Sequence, residues 1–162
     1  MSAGFGNALP ESGQRATRWL TPTKIVESLG KFDLDPCGAP GHSLAETTYQ
    51  IDEGQDGLKL DWNGRVWLNP PYGAEANPFL ARMKEHQFGT AFLFARTETR
   101  AFFEYVWGGA SSVLFLKGRV KFLKPDLTEA QAANAPSVLI AYGDYDSMML
   151  EKSGIDGKFI KL

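Results

Sequence analysis

A four-residue segment, Asn69-Pro70-Pro71-Tyr72, has the residue types needed to hold a planar molecule that carries an NH2 group. Two successive prolines fix two φ angles and remove two N–H donors, and the residue before each proline is forced into an extended conformation. The side-chain oxygen of Asn69 and the carbonyl oxygen of Pro70 then become hydrogen-bond acceptors with a restricted geometry. Tyr72 adds an aromatic face on which a planar ring can stack, worth about 1–3 kcal/mol for a nucleic-acid base.

The chemistry that this segment favours is the transfer of a group to an amine nitrogen. An aromatic amine such as N6 of adenine is a poor nucleophile, because its lone pair is delocalised into the ring. Two acceptors aimed at its hydrogens favour a pyramidal nitrogen whose lone pair can attack a methyl donor. Holding the two reactants in line can remove about 7–11 kcal/mol of the barrier. No strong general base is needed, since the methylated nitrogen loses its proton readily. The structural alternative is a Pro-Pro turn that ends a buried strand, with Tyr72 as ordinary packing.

The elements that must position this segment alternate between strands and helices. Strands are predicted over residues 32–35, Val66–Leu68, residues 90–95 and Ser112–Leu116, followed by three antiparallel strands over residues 118–123, Ser137–Tyr142 and residues 147–150. Helices are predicted from Thr21-Pro22 to Gly30, from Asn77-Pro78 to about His86, and over residues 99–107. Thr21 and Asn77 are the predicted caps of the first two helices. The segment 125–136 is expected to be a mobile loop or a short helix.

This order indicates a three-layer, Rossmann-like α/β domain with a mixed sheet. Ligands in such folds bind at the carboxyl ends of strands. The turns 35–41 and 69–73 both follow predicted strands directly, which is where a site belongs. With 162 residues the chain is expected to form one domain over residues 18–162, preceded by a flexible arm over residues 1–17 that is rich in Gly, Ser and Ala.

The composition excludes several other classes of protein. A single cysteine, Cys37, rules out an internal disulfide framework and a Cys-rich zinc site. The two histidines, His42 and His86, are far apart in the sequence, which argues against a His-dependent zinc hydrolase. No apolar run approaches the length of a transmembrane helix, and the N-terminus lacks a signal-peptide pattern. We therefore expect a cytosolic protein without a metal.

Six segments together resemble the phage-type DNA N6-adenine methyltransferases, compact Dam-like enzymes that use S-adenosylmethionine. They are WLTP at 19–22, FDLDPC at 32–37, DGL at 56–58, WNGRVWLNPPYG at 62–73, RTET at 96–99 and FLKGRVKF at 115–122. The resemblance covers about residues 19–145. It implies a class I methyltransferase fold, in which the segment 69–72 holds a flipped adenine as the catalytic motif.

The resemblance also implies which residues bind the cofactor. Asp35, Pro36 and Cys37 match the loop after the first strand, Asp56 matches the acidic residue that accepts a hydrogen bond from the cofactor's adenine, and Thr21-Pro22 matches an element near its methionine end. Each has a bland alternative: Asp35 and Asp56 as turn residues, and Cys37 as a small buried filler. The usual Gly-x-Gly is replaced by residues 38–41, and only 20 residues separate Asp35 from Asp56. The ribose-binding carboxylate is therefore left open among Glu46, Asp52 and Glu53.

A basic segment, residues 117–124, contains four basic residues and no acidic one. Lys117, Arg119 and Lys121 are expected to neutralise DNA phosphates, which would make binding dependent on salt. Phe122 is expected to help stack the extruded base, and Arg96 either reaches DNA or pairs with an acidic residue. The alternative for the basic segment is a solvated edge strand that its lysines protect from aggregation.

The sequence as a whole predicts a site-specific adenine-N6 methyltransferase that acts on duplex DNA. The rivals are the same chemistry on RNA adenine or on a protein glutamine amide, and a non-catalytic DNA-binding or anti-restriction module on the same fold. The expected setting is a bacterial cytoplasm, with a phage or prophage as the source and protection of DNA against restriction as the use. A monomer or a weak dimer would suffice.

Overall fold

A mixed seven-stranded sheet lies at the centre of the protein, for which a computed structural model describes residues 20–124, 126–133 and 135–162. The predicted arm over residues 1–17 lies outside the described residues. So does Trp19, which is one of the residues that carry the family resemblance. The strands are β1 (Leu34–Asp35), β2 (Thr47–Thr48), β3 (Val66–Leu68), β4 (Gly89–Phe94), β5 (Ser112–Leu116), β6 (Lys121–Leu123), β7 (Glu129–Ala132), β8 (Ser137–Tyr142) and β9 (Gly157–Lys161). The helices are α1 (Thr23–Glu27), α2 (Ala76–His86), α3 (Asp144–Glu151) and a wide π-type helix over Phe102–Trp107.

The strand order in the sheet is β2-β1-β3-β4-β8-β5-β9. The first four strands are mutually parallel, whereas β8 runs antiparallel to both β4 and β5, and β9 is antiparallel to β5. A separate two-stranded sheet joins β6 to β7. Because β1, β3 and β4 are parallel, the turns that follow Asp35 and Leu68 and the end of β4 share one edge of the sheet.

Apolar side chains cover both faces of the sheet. On one face, α2 and the wide helix contribute Leu80, Met83 and Val106 to the core. On the other, Val26, Leu29 and Leu150 pack with Trp67, Phe92 and Phe122. All residues of β3 and of β8 are buried, as expected for strands without a solvent-facing side.

A buried ion pair joins the last helix to the centre of the sheet. Arg65 donates from Nε to Asp146 Oδ1 at 2.7 Å, and the two residues are 2% and 0% exposed. Thr90 donates to the same carboxylate oxygen at 2.9 Å, and Arg65 Nη1 donates to the Leu29 carbonyl at 2.6 Å. These contacts tie α3 to β3, β4 and the end of α1.

The structure confirms most of the predicted elements and corrects three. The predicted strand over residues 147–150 is wrong, because these residues lie in α3. Its buried residues Asp146, Ser147 and Leu150 follow helical spacing, and a run of four residues is too short to reveal that period. The predicted loop 125–136 contains β7, and β9 was not predicted.

Two smaller corrections concern helix starts. The structure begins α1 at Thr23 and gives it no side-chain cap, so the Thr21 hydroxyl does not cap this helix as predicted. A 3-10 turn over Gly73–Glu75 leads into α2, which starts at Ala76 rather than after an Asn77 cap. None of the helices in the described ranges is both long and apolar enough to cross a membrane.

Candidate active site

A cavity of about 290 Å³ opens at the edge of the sheet where β3 and β4 end and β8 begins. The segment Asn69-Pro70-Pro71-Tyr72, predicted to be catalytic, contributes all four of its residues to the cavity wall. The rest of the wall comes from β4 and the loop that follows it, from α2, the wide helix and the small sheet, and from the first residue of β8. It includes Asn77, Leu80, Leu93, Phe94, Arg96, Thr99, Phe102, Phe122 and Ser137.

The orientation of the Asn69 amide is fixed by Thr21. Asn69 Nδ2 donates to Thr21 Oγ1 at 3.1 Å, and Thr21 is only 1% exposed. The main-chain carbonyl of Thr21 lies 2.9 Å from Nε2 of buried His42, which holds this stretch in place. With Nδ2 engaged, Oδ1 is the end of the Asn69 amide that can accept a hydrogen bond from a ligand in the cavity.

Tyr72 stacks on Phe94 rather than standing alone in the cavity wall. Their ring centroids are 5.2 Å apart and their planes differ by 10°. Phe122 meets Phe94 edge-on, with a centroid distance of 6.3 Å and an angle of 85°. A ligand ring can therefore stack only on the face of Tyr72 opposite Phe94. Burial raises the pKa of Tyr72 to about 12, so its phenol stays neutral under ordinary conditions.

The residues predicted to contact DNA occupy two different environments. Arg96 and Phe122 line the cavity, and Phe122 is only 5% exposed, so it forms part of the wall and not of the outer surface. Burial lowers the pKa of Arg96, and the charge of Arg119 acts in the same direction while Glu98 opposes both. Lys117, Arg119 and Lys121 are exposed to solvent, although Arg119 Nη1 also reaches the Ala133 carbonyl at 3.3 Å.

None of the six residues predicted to bind the cofactor lines the cavity, and three of them, Asp35, Pro36 and Cys37, lie at the end of β1. Asp35 is 3% exposed, and its Oδ1 accepts a hydrogen bond from the Cys37 backbone N–H at 3.0 Å. This is the turn-forming contact that was the alternative for Asp35. Gly57 packs so closely on the Pro36 carbonyl that an added Cβ would collide with it. The loop that carries Asp56 therefore touches the loop that carries Asp35.

Asp56 itself also forms a turn. Its Oδ1 accepts from the Leu58 N–H at 2.9 Å, and its Oδ2 lies 4.0 Å from Lys59 Nζ. Two residues that the sequence did not single out for this role anchor the turn. Trp62 Nε1 donates to the Gly57 carbonyl at 2.7 Å, and Arg82 Nη1 donates to the Gly57 and Leu58 carbonyls at 3.1 and 2.9 Å.

The region between β1 and β2 explains the short spacing between Asp35 and Asp56. β2 has only two residues, and no helix lies between it and β1 among the described residues. The three acidic candidates for the ribose contact, Glu46, Asp52 and Glu53, are all exposed. The described part of the chain contains no group of three or more His, Cys, Asp and Glu side chains that could hold a metal ion.

Comparison with known proteins identifies the family of the chain. A family model described as DNA N-6-adenine-methyltransferase (Dam) matches residues 11–153. No curated protein and no solved structure matches the chain. The matched range contains all the segments on which the resemblance rested, and it spans most of the chain. The protein therefore belongs to the DNA N-6-adenine-methyltransferase (Dam) family.

Proposed function

We propose that this protein transfers a methyl group from S-adenosylmethionine to N6 of an adenine that has been flipped out of duplex DNA. The observation that carries the proposal is the orientation of the Asn69 amide in the wall of the cavity. Its Nδ2 donates to Thr21, which leaves Oδ1 to accept from an amine. An adenine N6 group, with two hydrogens to donate, is the ligand that this acceptor and the neighbouring Pro70 carbonyl suit.

The residues around the end of β1 are suited to a polar cofactor. Two polar side-chain atoms there, Thr48 Oγ1 and Gln50 Oε1, are buried without a hydrogen-bond partner among the described residues. Thr48 pairs with Asp35 in the sheet, so both atoms lie close to the loop predicted to bind the cofactor. Asp35, Pro36, Cys37 and Asp56 would hold S-adenosylmethionine, with Thr21 and Pro22 at its methionine end. When bound, it supplies an electrophilic methyl group on a sulfonium sulfur.

The protein's own contribution to the reaction is positioning. Tyr72 stacks on the base with its free face, while Phe94 supports the opposite face of the Tyr72 ring. Asn69 Oδ1 and the Pro70 carbonyl accept the two N6 hydrogens and so free the nitrogen lone pair. Tyr72 has no proton to exchange near neutral pH, because burial raises its pKa to about 12. The proton released from N6 after transfer passes to water.

The cations near the cavity would hold the DNA. Extruding an adenine from the stack costs a few kcal/mol, which contacts with the backbone must offset. Lys117, Arg119 and Lys121 are exposed in the segment that also brings Phe122 into the cavity wall. Phosphates bound there would lie beside the opening, with Arg96 closer to the base.

The fold that we propose for this activity is a compact, single-domain, three-layer class I methyltransferase fold, and its support is the mixed seven-stranded sheet with antiparallel C-terminal strands. All residues assigned to the reaction come from one chain, so a monomer or a weak dimer is sufficient. A monomer can methylate the two strands of a palindromic target in turn. A phage or prophage enzyme that protects DNA from restriction in the bacterial cytoplasm is the setting that we propose.

The test is methyl transfer from labelled S-adenosylmethionine to unmethylated duplex DNA, followed by nucleoside analysis. Wild type, Asn69→Ala and Asn63→Ala are run side by side, because Asn63 is an exposed asparagine outside the cavity wall. We expect N6-methyladenine from wild type and from Asn63→Ala. Asn69→Ala should lose about 100-fold or more in rate, as when a preorganised polar contact to the reacting group is removed.

Parallel reactions with RNA and with protein distinguish the rivals. Cofactor binding by the wild type with no methylated DNA base would overturn the proposal. Label in RNA adenine or in a glutamine amide would then identify the substrate. Failure to bind the cofactor in calorimetry would favour a non-catalytic DNA-binding module.

A further inference from the structure

Among the fully buried serine and threonine residues that the structure describes, one has a hydroxyl without a hydrogen-bond partner, and this residue lines the cavity. Five serine and threonine residues of the described chain are buried, namely Thr21, Thr90, Ser112, Ser137 and Ser147. Four of these hydroxyls are hydrogen-bonded: Thr21 to Asn69, Thr90 to Asp146, and Ser112 and Ser147 to each other. Ser137 is 1% exposed, and no donor or acceptor among the described residues reaches its Oγ.

Ser137 lies in the part of the cavity wall that Tyr72 and Phe94 form. Ser137 begins β8 and pairs with Phe94, so the two side chains lie on the same face of the sheet. Phe94 is the residue that stacks on Tyr72. Ser137 and Tyr72 both line the cavity, whose wall is otherwise mainly apolar on this side, with Phe92, Phe94 and Phe122.

A buried hydroxyl without a hydrogen-bond partner, in a wall of aromatic side chains, is unfavourable unless a ligand supplies that partner. Burying a polar group without a hydrogen bond costs free energy, and such groups in folded proteins call for an explanation. Alanine would fill the same position in β8 without that cost. Packing alone therefore gives no reason for a serine here.

We propose that Ser137 recognises the flipped adenine by donating a hydrogen bond from Oγ to one of its ring nitrogens. The inference rests on the proposed function and adds a residue that specifies the base. Asn69 and Pro70 contact only the exocyclic amine, which cytosine also carries. A donor to N3 or N7 of the purine adds a contact that cytosine cannot make, whereas a donor to N1 would also fit N3 of cytosine.

The test compares wild type, Ser137→Ala and Ser112→Ala on duplexes with adenine, 1-deazaadenine, 3-deazaadenine or 7-deazaadenine at the target. On adenine, Ser137→Ala should lower kcat/KM by about three- to tenfold, the effect of one neutral hydrogen bond. For wild type, one of the three analogues should give a kcat/KM lower than that for adenine by a similar factor. In Ser137→Ala, the drop from adenine to that analogue should be smaller by about three- to tenfold, because only the intrinsic effect of the ring change remains. Comparing the two proteins on each analogue removes the intrinsic effect of the ring change on the amine.

Urea unfolding separates this role from a structural one. Ser137→Ala should be as stable as wild type or more stable, because it removes an unpartnered buried hydroxyl. Ser112→Ala breaks the 2.8 Å hydrogen bond to Ser147, so it should lose stability and keep wild-type discrimination among the bases. Ser112 is absent from the wall of the cavity.

The possible outcomes test the role of Ser137 separately from the proposed function. The role of Ser137 is overturned, and the proposed function kept, if wild type methylates adenine and Ser137→Ala equals it in kcat/KM. The same holds if the two proteins discriminate equally against all three analogues. Wild type that methylates no adenine in DNA overturns the proposed function and this inference with it. Lower activity of Ser137→Ala with unchanged stability and reduced discrimination against one analogue supports both.

Discussion

Asn69 donates a hydrogen bond to the Thr21 hydroxyl across 3.1 Å, joining the turn after β3 to the segment that leads into α1. The contact links a residue predicted to hold the target amine to one predicted to touch the cofactor. Thr21 is in turn held through its carbonyl by His42. In the proposed reaction, the amide that accepts from the base is therefore oriented by a residue 48 positions away in the sequence.

Thr21→Val tests this link, because it removes the hydroxyl at nearly constant volume. We expect kcat to fall by about three- to tenfold as the Asn69 amide loses its fixed orientation. Thr21→Ser, which keeps the hydroxyl, should retain most of the activity. Steady-state kinetics with both substrates varied measure the effect. A rise only in the KM for S-adenosylmethionine would instead assign Thr21 to the cofactor and contradict the link.

Arg82→Met tests whether the turn at Asp56 supports cofactor binding. Arg82 holds the Gly57 and Leu58 carbonyls and lies 4.8 Å from the centroid of the Trp62 ring. Its loss should loosen the turn and weaken binding of S-adenosylmethionine by about tenfold, as measured by calorimetry. Lys84→Met is the control, because Lys84 lies on the same helix and contacts the Glu104 carbonyl instead. Equal affinities of the two variants for S-adenosylmethionine would show that this turn does not support cofactor binding.

Lys121→Gln tests the basic surface near the cavity. Each phosphate contact that is lost should reduce the slope of log K against log salt concentration by about 1. Binding to duplex DNA is measured by fluorescence anisotropy over a series of salt concentrations. Lys161→Gln is the control, because Lys161 is an exposed lysine on the edge strand β9. An unchanged slope for Lys121→Gln would indicate a lysine that protects the strand rather than binding DNA.

Tyr72 should make stability depend on alkaline pH. Its ordinary pKa is 10.0, and burial raises the pKa to about 12 in the folded protein. Between these values the unfolded chain loses a proton that the folded chain keeps. The contribution of Tyr72 to the free energy of unfolding is therefore fully present below pH 10 and is lost as pH rises toward 12. Urea unfolding at pH 9, 10 and 11 should show a smaller decline for Tyr72→Phe, and identical declines would refute this pKa shift.

Asp146→Asn should destabilise the fold severely. The variant leaves the Arg65 guanidinium buried without a counter-charge, which typically costs about 3–5 kcal/mol. Chemical denaturation followed by circular dichroism measures the loss. The double variant Arg65→Met/Asp146→Leu should recover part of it, because no buried charge then remains. A mild loss in Asp146→Asn, below about 1 kcal/mol, would contradict the importance of this pair.

The parts of the site that are local in sequence could be predicted. The Pro-Pro turn after Val66–Leu68 restricts its own conformation, so its place at the end of a buried strand followed from four residues. Strand Ser137–Tyr142 was equally clear as a continuous apolar run, and it is buried throughout. In both cases the signal and the structure that it specifies lie within a few residues of each other.

Long-range contacts could not be predicted from the same patterns. Ser137 enters the cavity wall only because β8 pairs with β4, and no periodicity indicates which strands will pair. The Phe94 ring that supports Tyr72 reads in sequence as one more apolar residue of a strand. Strand β9 was missed for a related reason: of its residues only Phe159 is even partly buried, so it carries little hydrophobic signal.

The place of β8 in the sheet has a consequence for the synthesis of the protein. β8 fills the gap between β4 and β5, although both of these strands leave the ribosome before it. A nascent chain that ends before residue 137 holds the parallel strands β2-β1-β3-β4 with an unpaired edge, while β5 lacks both of its partners, β8 and β9. Its cavity lacks Ser137. The sheet is therefore completed only when β8 and β9 have been made. A chain whose translation stops early should be a substrate for chaperones and proteases, and it should lack a complete cavity.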